Sequence, residues 1–456
     1  MSEVRRAGAT RRALLAAGSA GGLLAAACGP AGPSGDSGAG KAADLKPATI
    51  AFWHWGGIGS TVNNYHPGFL DVAERFMKLQ PAVKVQVDSP PSYWDKMVVA
   101  LASDTPPDVF LINSVRNRDW AAHGTIREVS SYLSKDKAAA NELKQVIKVF
   151  TDWYTVQGKL YGLPWNYSTI ATVFNLAHLR EANLQPPAQL GDRWDWNLAT
   201  EYAQKLTKKA SPMRWGFQAN PSIETGWYNY VVADGGAMFD ENRTRCTINS
   251  PAAQQATQFL VDLEQKSQWS PTRQELSDAG GVIKAMQNGV VSVTTNGDWN
   301  FKPLSDPTIP LEWDVSFIAK SPRTKKTASI ANLRGLALTS GSKAPDQTFA
   351  FMAFTLRKEI HDLIPAVWQE VPARLDSALE IYADPQKAGP PANRKALADS
   401  IRNVTPYPAH DYAPITELSK AWDPVLNDIW DGKVAVNEGL RRMQEDVQKV
   451  LDQYRR

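Results

Sequence analysis

The stretch "FLDVAERFMKLQPAVKVQV", residues 69–87, changes its hydrophobic period halfway along. Phe69, Val72, Ala73 and Phe76 recur at i, i+3, i+4 and i+7, which lines one face of a helix, and Pro81 stops it. Val83, Val85 and Val87 then alternate with Lys84 and Gln86, the pattern of a half-buried strand. The flanking residues repeat the exchange. Upstream, "ATIAFWHW" (48–55) reads as a strand over Thr49–Trp55. Downstream, Trp94, Met97, Val98 and Leu101 mark a helix, and "PPDVFLIN" (106–113) a buried strand.

The alternation continues towards the C-terminus. Ser250-Pro251 supplies an N-cap and a first-position proline to a helix whose stripe is Ala256, Phe259, Leu260 and Leu263. Another helix ends near Asn288-Gly289, before the strand-like "VVSVTTN" (290–296). Phe349, Met352, Ala353 and Leu356 mark a later helix, as do Trp422, Val425, Leu426 and Ile429. This rhythm predicts an α/β fold with largely parallel sheets and a ligand site at the strands' carboxyl ends.

A chain of 456 residues is long enough for two lobes with separate cores. The formal charge of +3 belongs to the leader: residues 1–27 carry Arg5, Arg6, Arg11 and Arg12 against Glu3, and the remainder balances 46 basic with 46 acidic residues. No basic surface points to nucleic acid. "TRRALLAAGSAGGLLAAAC" (10–28) has an arginine pair, an apolar run too short and glycine-rich to be a permanent span, and then Cys28. It resembles a twin-arginine export signal ending in a lipobox, with Leu24 one position further from the cysteine than usual. Residues 1–27 are thus expected to be removed and Cys28 to carry lipid, which places the protein outside the cytoplasmic membrane. Residues 28–45 would be the lipidated cysteine and its Gly/Pro/Ser-rich tether. Cys246 is then unpaired and read as a small buried apolar residue.

Catalytic patterns are missing. Gly35-Asp36-Ser37-Gly38 and His123 resemble serine-protease fragments, but the serine lies in the tether and in the wrong order. "GGIGS" (56–60) has no phosphate-loop lysine, and the six histidines are scattered without metal-ligand spacing. No cofactor, no metal and no catalytic residue is expected.

The order of segments resembles the extracellular solute-binding proteins of ABC importers, in the carbohydrate-binding family that includes maltose-binding protein. The resemblance rests on "TPPDVFLINSVRNRDWAAHGTIREVSSYL" (105–133), "GKLYGLPWNYSTIATVFNLAHLREANLQPP" (158–187), "DRWDWNLATEYAQKLT" (192–207) and "INSPAAQQATQFLVDL" (248–263). It continues through "NGVVSVTTNGDW" (288–299), "RGLALTSGSKAPDQTFAFMAFTL" (334–356) and "VPAR" (371–374). A departure falls at Ile330–Arg334, where the family usually has a Gly-Gly pair. The resemblance implies a two-lobed, hinged periplasmic-binding-protein fold with no enzymatic activity. Its first lobe would comprise residues 46–165 plus 320–365 and its second 166–319 plus 366–456. Crossings are expected near residues 165–172, 315–319 and 367–374. It also implies a monomeric receptor that captures a carbohydrate and delivers it to a permease driven by a cytoplasmic ATPase.

Sugar sites combine aromatic faces with planar polar groups, which selects the candidates. Trp299, after the Asn296-Gly297-Asp298 turn, resembles the family's stacking tryptophan; Asp298 is either a hydroxyl acceptor or a helix cap. Trp55 is expected at the cleft, with Trp53 in the core. Asn113, Ser114 and Arg116 follow a buried strand, and Tyr93 is favoured over its neighbour Trp94 because Trp94 fits an apolar stripe. Trp165, Asn166 and Tyr167 sit at the first crossing, and Trp227 and Asp234 in a loop-rich part of the second lobe. Asn332 and Arg334 occupy the departure; Arg374 is either a ligand contact or an ion-pair partner. Tyr407, His410 and Tyr412 come from "TPYPAHDY" (405–412). The alternatives are a receptor for an acidic sugar or glycerol phosphate ester, held by Arg116, Arg334 or Arg374, and a secreted polysaccharide-active enzyme.

Overall fold

The computed structural model of the protein describes residues 45–56, 65–401 and 404–455. The leader, Cys28 and most of the tether lie outside the described residues. The change of period at Pro81 is where the helix His66–Leu79 hands over to a strand, and Phe69, Val72, Ala73 and Phe76 are its buried face. In chain order the strands are β1 (Ala48–Trp53), β2 (Val83–Asp88), β3 (Val109–Asn113), β4 (Ile126–Arg127), β5 (Thr155–Val156), β6 (Lys159–Leu160), β7 (Leu163–Ser168) and β8 (Ile170–Asn175). After a long helical stretch come β9 (Val293–Gly297), β10 (Trp313–Ser316), β11 (Ser329–Thr339), β12 (Val371–Pro372) and β13 (Val404–Pro406).

The larger sheet runs β12-β7-β11-β3-β1-β2, with β4 and β13 pairing at opposite ends of β11. The smaller sheet is β10-β8-β9. β1 is parallel to β2 and β3, but β11 runs against β3 and β7, and the smaller sheet is antiparallel throughout. The expected largely parallel sheets therefore give way to mixed and antiparallel ones. Parallel neighbours need a crossover returning the chain to the same end, whereas here the chain passes from one sheet to the other. Only Thr169 separates β7 in the larger sheet from β8 in the smaller. β11 makes the return: its Ser329 Oγ accepts from Ile170 N (2.9 Å), and its far half pairs with β3. β12 still belongs to the larger sheet, and β13 comes back to pair with the start of β11.

Two clusters of buried side chains accompany the sheets. Phe52, Phe69, Phe110, Trp165 and Leu336 belong to the one built on the larger sheet; Trp194, Trp227, Leu260, Trp422 and Leu440 belong to the other. Each such side chain contributes about 1.5–3 kcal/mol or more by leaving water. The helix Pro251–Val261 has its expected cap, Ser250 Oγ accepting from Ala253 N. Cys246 is a buried thiol, pushed up to about 12 by burial. One register expectation fails. Phe52 and His54 are fully buried, while Trp53 and Trp55 are both half-buried. Phe69 of the first helix and Phe351 of the helix Pro345–Thr355 pack on the Phe52 face, 5.1 and 5.5 Å away between ring centroids, and they decide which side of β1 is core.

Candidate functional site

The site is assembled on one row of the larger sheet. Arg334 on β11 lies opposite Asn113 on β3 and opposite Asn166 on β7, and Asn166 lies opposite Pro372 on β12. Between Arg334 and Gly335 the register of β11 against β7 shifts. A bulge of this kind re-aims a side chain, and Gly335 is required there: a Cβ would stand 2.8 Å from the Leu163 carbonyl oxygen. Arg334 pairs with the buried carboxylate of Glu370, which also accepts from Asn166 Nδ2 and from Tyr65 Oη (2.5 Å). Burial opposes the Arg334 cation, but Glu370 and Tyr65 outweigh it and raise its pKa. Asp298 enters from the end of β9, its Oδ2 accepting from Thr169 Oγ1 and Tyr382 Oη, both at 3.4 Å. Burial, with Glu370 nearby, raises its carboxyl well above the usual range.

An aromatic wall stands beside this row. Trp55 and Trp94 lie 5.2 Å apart between ring centroids, Arg116 sits 4.0 Å over the Trp94 ring, and Arg334 is 5.9 Å from the Trp55 ring. From the other side Glu224 meets Asn332 and Arg334, and burial raises its carboxyl against their opposing influence. Tyr407 is tied to β11 through its N–H to the Ala331 carbonyl (3.1 Å). Trp299 is half-buried just past β9; its ring lies so close to Gly297 that a Cβ there would meet it at 2.1 Å. Buried polar atoms along these elements that find no partner among the described residues include Asn113 Oδ1, Asn166 Oδ1, Tyr167 Oη, Asp298 Oδ1 and Asn332 Oδ1. Each costs about 1–3 kcal/mol when left dry, so their concentration marks a place for a polar, hydrogen-bonding ligand or for water.

Trp55, Arg116, Asn113, Asn166, Asp298, Trp299, Asn332, Arg334 and Tyr407 thus gather around one region. Tyr93 is turned inward, donating to the Leu111 carbonyl (2.6 Å), and Trp94 is the more exposed of the two. Helix Tyr93–Leu101 buries Tyr93, Met97 and Ala100, so the apolar stripe is rotated from the expected one. Ser114 Oγ is spent on Leu333 N (3.1 Å), and Trp165 packs against Phe69 and Trp368. Tyr167 is fully buried beside Phe150.

Other candidates stand apart. Trp227 is wholly buried, its indole N–H donating to Thr257 (2.7 Å), and Asp234 accepts from Ser321 and Arg323. Arg374 is held by Glu142, Asp376 and the Leu356 carbonyl, the ion-pair alternative. His410 is a structural brace: one ring nitrogen lies 2.7 Å from the Arg243 carbonyl and the other accepts from Tyr412 N and Ala413 N. Tyr412 Oη accepts from Gln157 Nε2 (2.9 Å), beside the Arg118–Asp411 ion pair. Sequence reasoning missed Glu370, Glu224 and Tyr65, and it set Trp94 behind Tyr93. Glu370 had a usable signal, since it directly precedes "VPAR". Among the described residues no group of three or more His, Cys, Asp or Glu is placed to hold a metal.

Residues 71–393 match the family described as bacterial extracellular solute-binding protein. The chain belongs to that family. It is therefore a receptor and not an enzyme. Among curated proteins it is similar to the diacetylchitobiose binding protein DasA of Streptomyces coelicolor, 24% identical over 358 residues, which covers 76% of this chain and 78% of DasA. Among solved structures it resembles the ABC substrate-binding protein Lmo0181 of Listeria monocytogenes in complex with cycloalternan. That match has a TM-score of 0.76 at 24% identity and covers 89% of this receptor and 100% of that chain. The sugar-binding protein MalE of Xanthomonas citri gives a TM-score of 0.73 at 18% identity, covering 90% and 98%. The two-sheet architecture is thus that of periplasmic binding proteins.

Proposed function

We propose that the receptor captures a carbohydrate, mono- or oligosaccharide, in the region bounded by Trp55, Trp94, Arg334 and Trp299, and presents it to an ABC permease. The observation that carries this reading is the half-buried Trp55–Trp94 pair beside the Arg334–Asn166 row, together with the unpartnered oxygen atoms of Asn166 and Asp298. Tryptophan faces suit the C–H face of a pyranose, and fixed planar groups suit its hydroxyls. The ligands named for DasA and Lmo0181, diacetylchitobiose and cycloalternan, support the same class. Residues on both sheets touch the ligand together only when the lobes close, and its preference for that form drives closure. Attachment to the membrane through Cys28 completes the proposal, with the lobes divided at β7–β8, at the start of β11 and after β12.

An acidic ligand is the weaker alternative. Arg334 is already neutralised by Glu370 and Arg374 by Glu142 and Asp376, which leaves Arg116 as the available cation. A melting-shift screen over neutral oligosaccharides, uronides and phosphate esters decides, because a ligand of the folded state raises the midpoint. The expected result is stabilisation by neutral sugars; stabilisation by uronides or phosphate esters alone refutes it.

A further inference from the structure

A second cavity, of about 800 Å³, opens in the part of the protein built around Trp227 and Trp430 and shares no lining residue with the cleft. Its volume is that of an ordinary small-molecule site. Trp215 and Trp430 contribute to its wall. The helix Pro251–Val261 widens into a π turn over Asp262–Lys266, a local geometry frequent at functional sites. That turn brings Glu264 to the cavity.

Glu264 is only 7% exposed, yet among the described residues its carboxylate accepts no hydrogen bond and forms no ion pair. The other charges at the cavity are engaged. Arg273 holds Asn427 and Asp431, and Asp431 also accepts from Lys433 (2.8 Å). Glu275 accepts from Thr272 N and Oγ1 at 2.8 and 2.9 Å, and Lys209 leans on Gln268 at 3.4 Å. One buried carboxylate beside two indoles is thus the unmatched group.

We propose that this cavity is a second binding site, taking an organic cation whose ammonium group pairs with Glu264 and whose apolar body lies against Trp215 and Trp430. Indole edges and faces favour such ligands, and an ammonium group supplies the counter-charge that the ionised carboxylate lacks. Burial, reinforced by Glu275 and Asp431 and opposed by Arg273, pushes the Glu264 carboxyl up to about 8. A cation that needs the ionised form must then displace a proton, and binding weakens by about tenfold for each pH unit below about 8.

Calorimetric titration of the whole chain with phenethylamine and with agmatine, against the neutral 2-phenylethanol, tests this at pH 6.5 and 8.5. The expected result is binding by at least one amine, more than tenfold tighter at pH 8.5, lost in Glu264→Gln and unchanged in Trp55→Ala. Should Glu264→Gln not fold, the pH profile of the unaltered protein decides. The proposal is overturned if neither amine binds at pH 8.5, if 2-phenylethanol binds as tightly, or if affinity is flat with pH. It is equally overturned if Trp55→Ala abolishes binding, which would place the amine in the cleft. Failure here leaves the carbohydrate reading untouched, and a failed sugar screen leaves this site untouched.

Discussion

Trp55 and Trp227 are chemically the same residue and structurally opposite. Trp55 is half-buried at the edge of an aromatic group, whereas Trp227 is fully enclosed with its N–H satisfied by Thr257. Trp55→Ala is expected to weaken sugar binding by about tenfold or more while leaving the melting midpoint within a few degrees. Trp227→Ala removes an enclosed indole, and about 3–5 kcal/mol of stability should go with it, read by urea unfolding. Glu370→Gln strips the counter-charge from a buried Arg334 while Tyr65 and Asn166 still crowd the position. Breaking a buried pair from one side costs about 3–5 kcal/mol, so this variant should melt well below the parent. An unaltered midpoint would show that Arg334 is not buried in solution.

At the scale of elements, the consequential device lies away from the ligand row. The helix Ser114–Ala122 presents Arg118, which grips Asp411 at 2.5 and 3.1 Å while also donating to the Trp153 and Thr155 carbonyls. Asp411 lies 3.4 Å from Arg243, and Arg243 sits 4.7 Å over the Trp153 ring. Arg118, on a helix beside the larger sheet, and Arg243, in the turn between Phe239 and Cys246 of the second core cluster, thus meet on the one carboxylate of the loop around His410. Asp411→Asn leaves Arg118 and Arg243 facing each other without a neutralising charge. The unliganded variant should be more open, with a larger radius of gyration in small-angle scattering and a several-fold weaker sugar affinity. If neither quantity moves, the clasp does not hold the lobes. The alternating helices and strands were legible because their periods are local. The antiparallel neighbours of β11 were not, since pairing direction depends on where the chain crosses between sheets.

Over the whole molecule the buried ionisable groups make stability depend on pH. His54 and His178 are lowered to about 4 and His361 to about 3, each first by burial. Their folded pKa values lie below the ordinary one, so the unfolded chain binds more protons between about pH 4 and 6.5, and stability is lost as pH falls through that window. Glu264, at about 8, and Asp298, raised well above its usual range, act in the opposite sense: the folded protein binds more protons, and stability falls as pH rises above about 4.5. Glu224, Asp119, Asp314 and Asp423 are raised as well and His410 is lowered, so the two sets oppose each other up to about pH 6.5, above which the histidines no longer titrate. Above about pH 6.5 the raised acids act alone, so the melting midpoint should fall from there towards pH 8, and Glu264→Gln should flatten that fall. A midpoint that rises steadily to pH 8 contradicts the burial of Glu264.

The sequence by itself determined the α/β class, the family and the amphipathic faces, because hydrophobic period and ordered motifs are properties of neighbouring residues. Only the tertiary structure decided which face of β1 is core, that Trp94 and not Tyr93 is the exposed ring, and that Arg374 is bound up in ion pairs. It also brought Tyr65, Asn166, Arg334 and Glu370 to one point. Those four are separated along the chain by up to 305 positions, and whether a polar side chain is ligand contact, brace or counter-ion depends on partners that meet it only after folding.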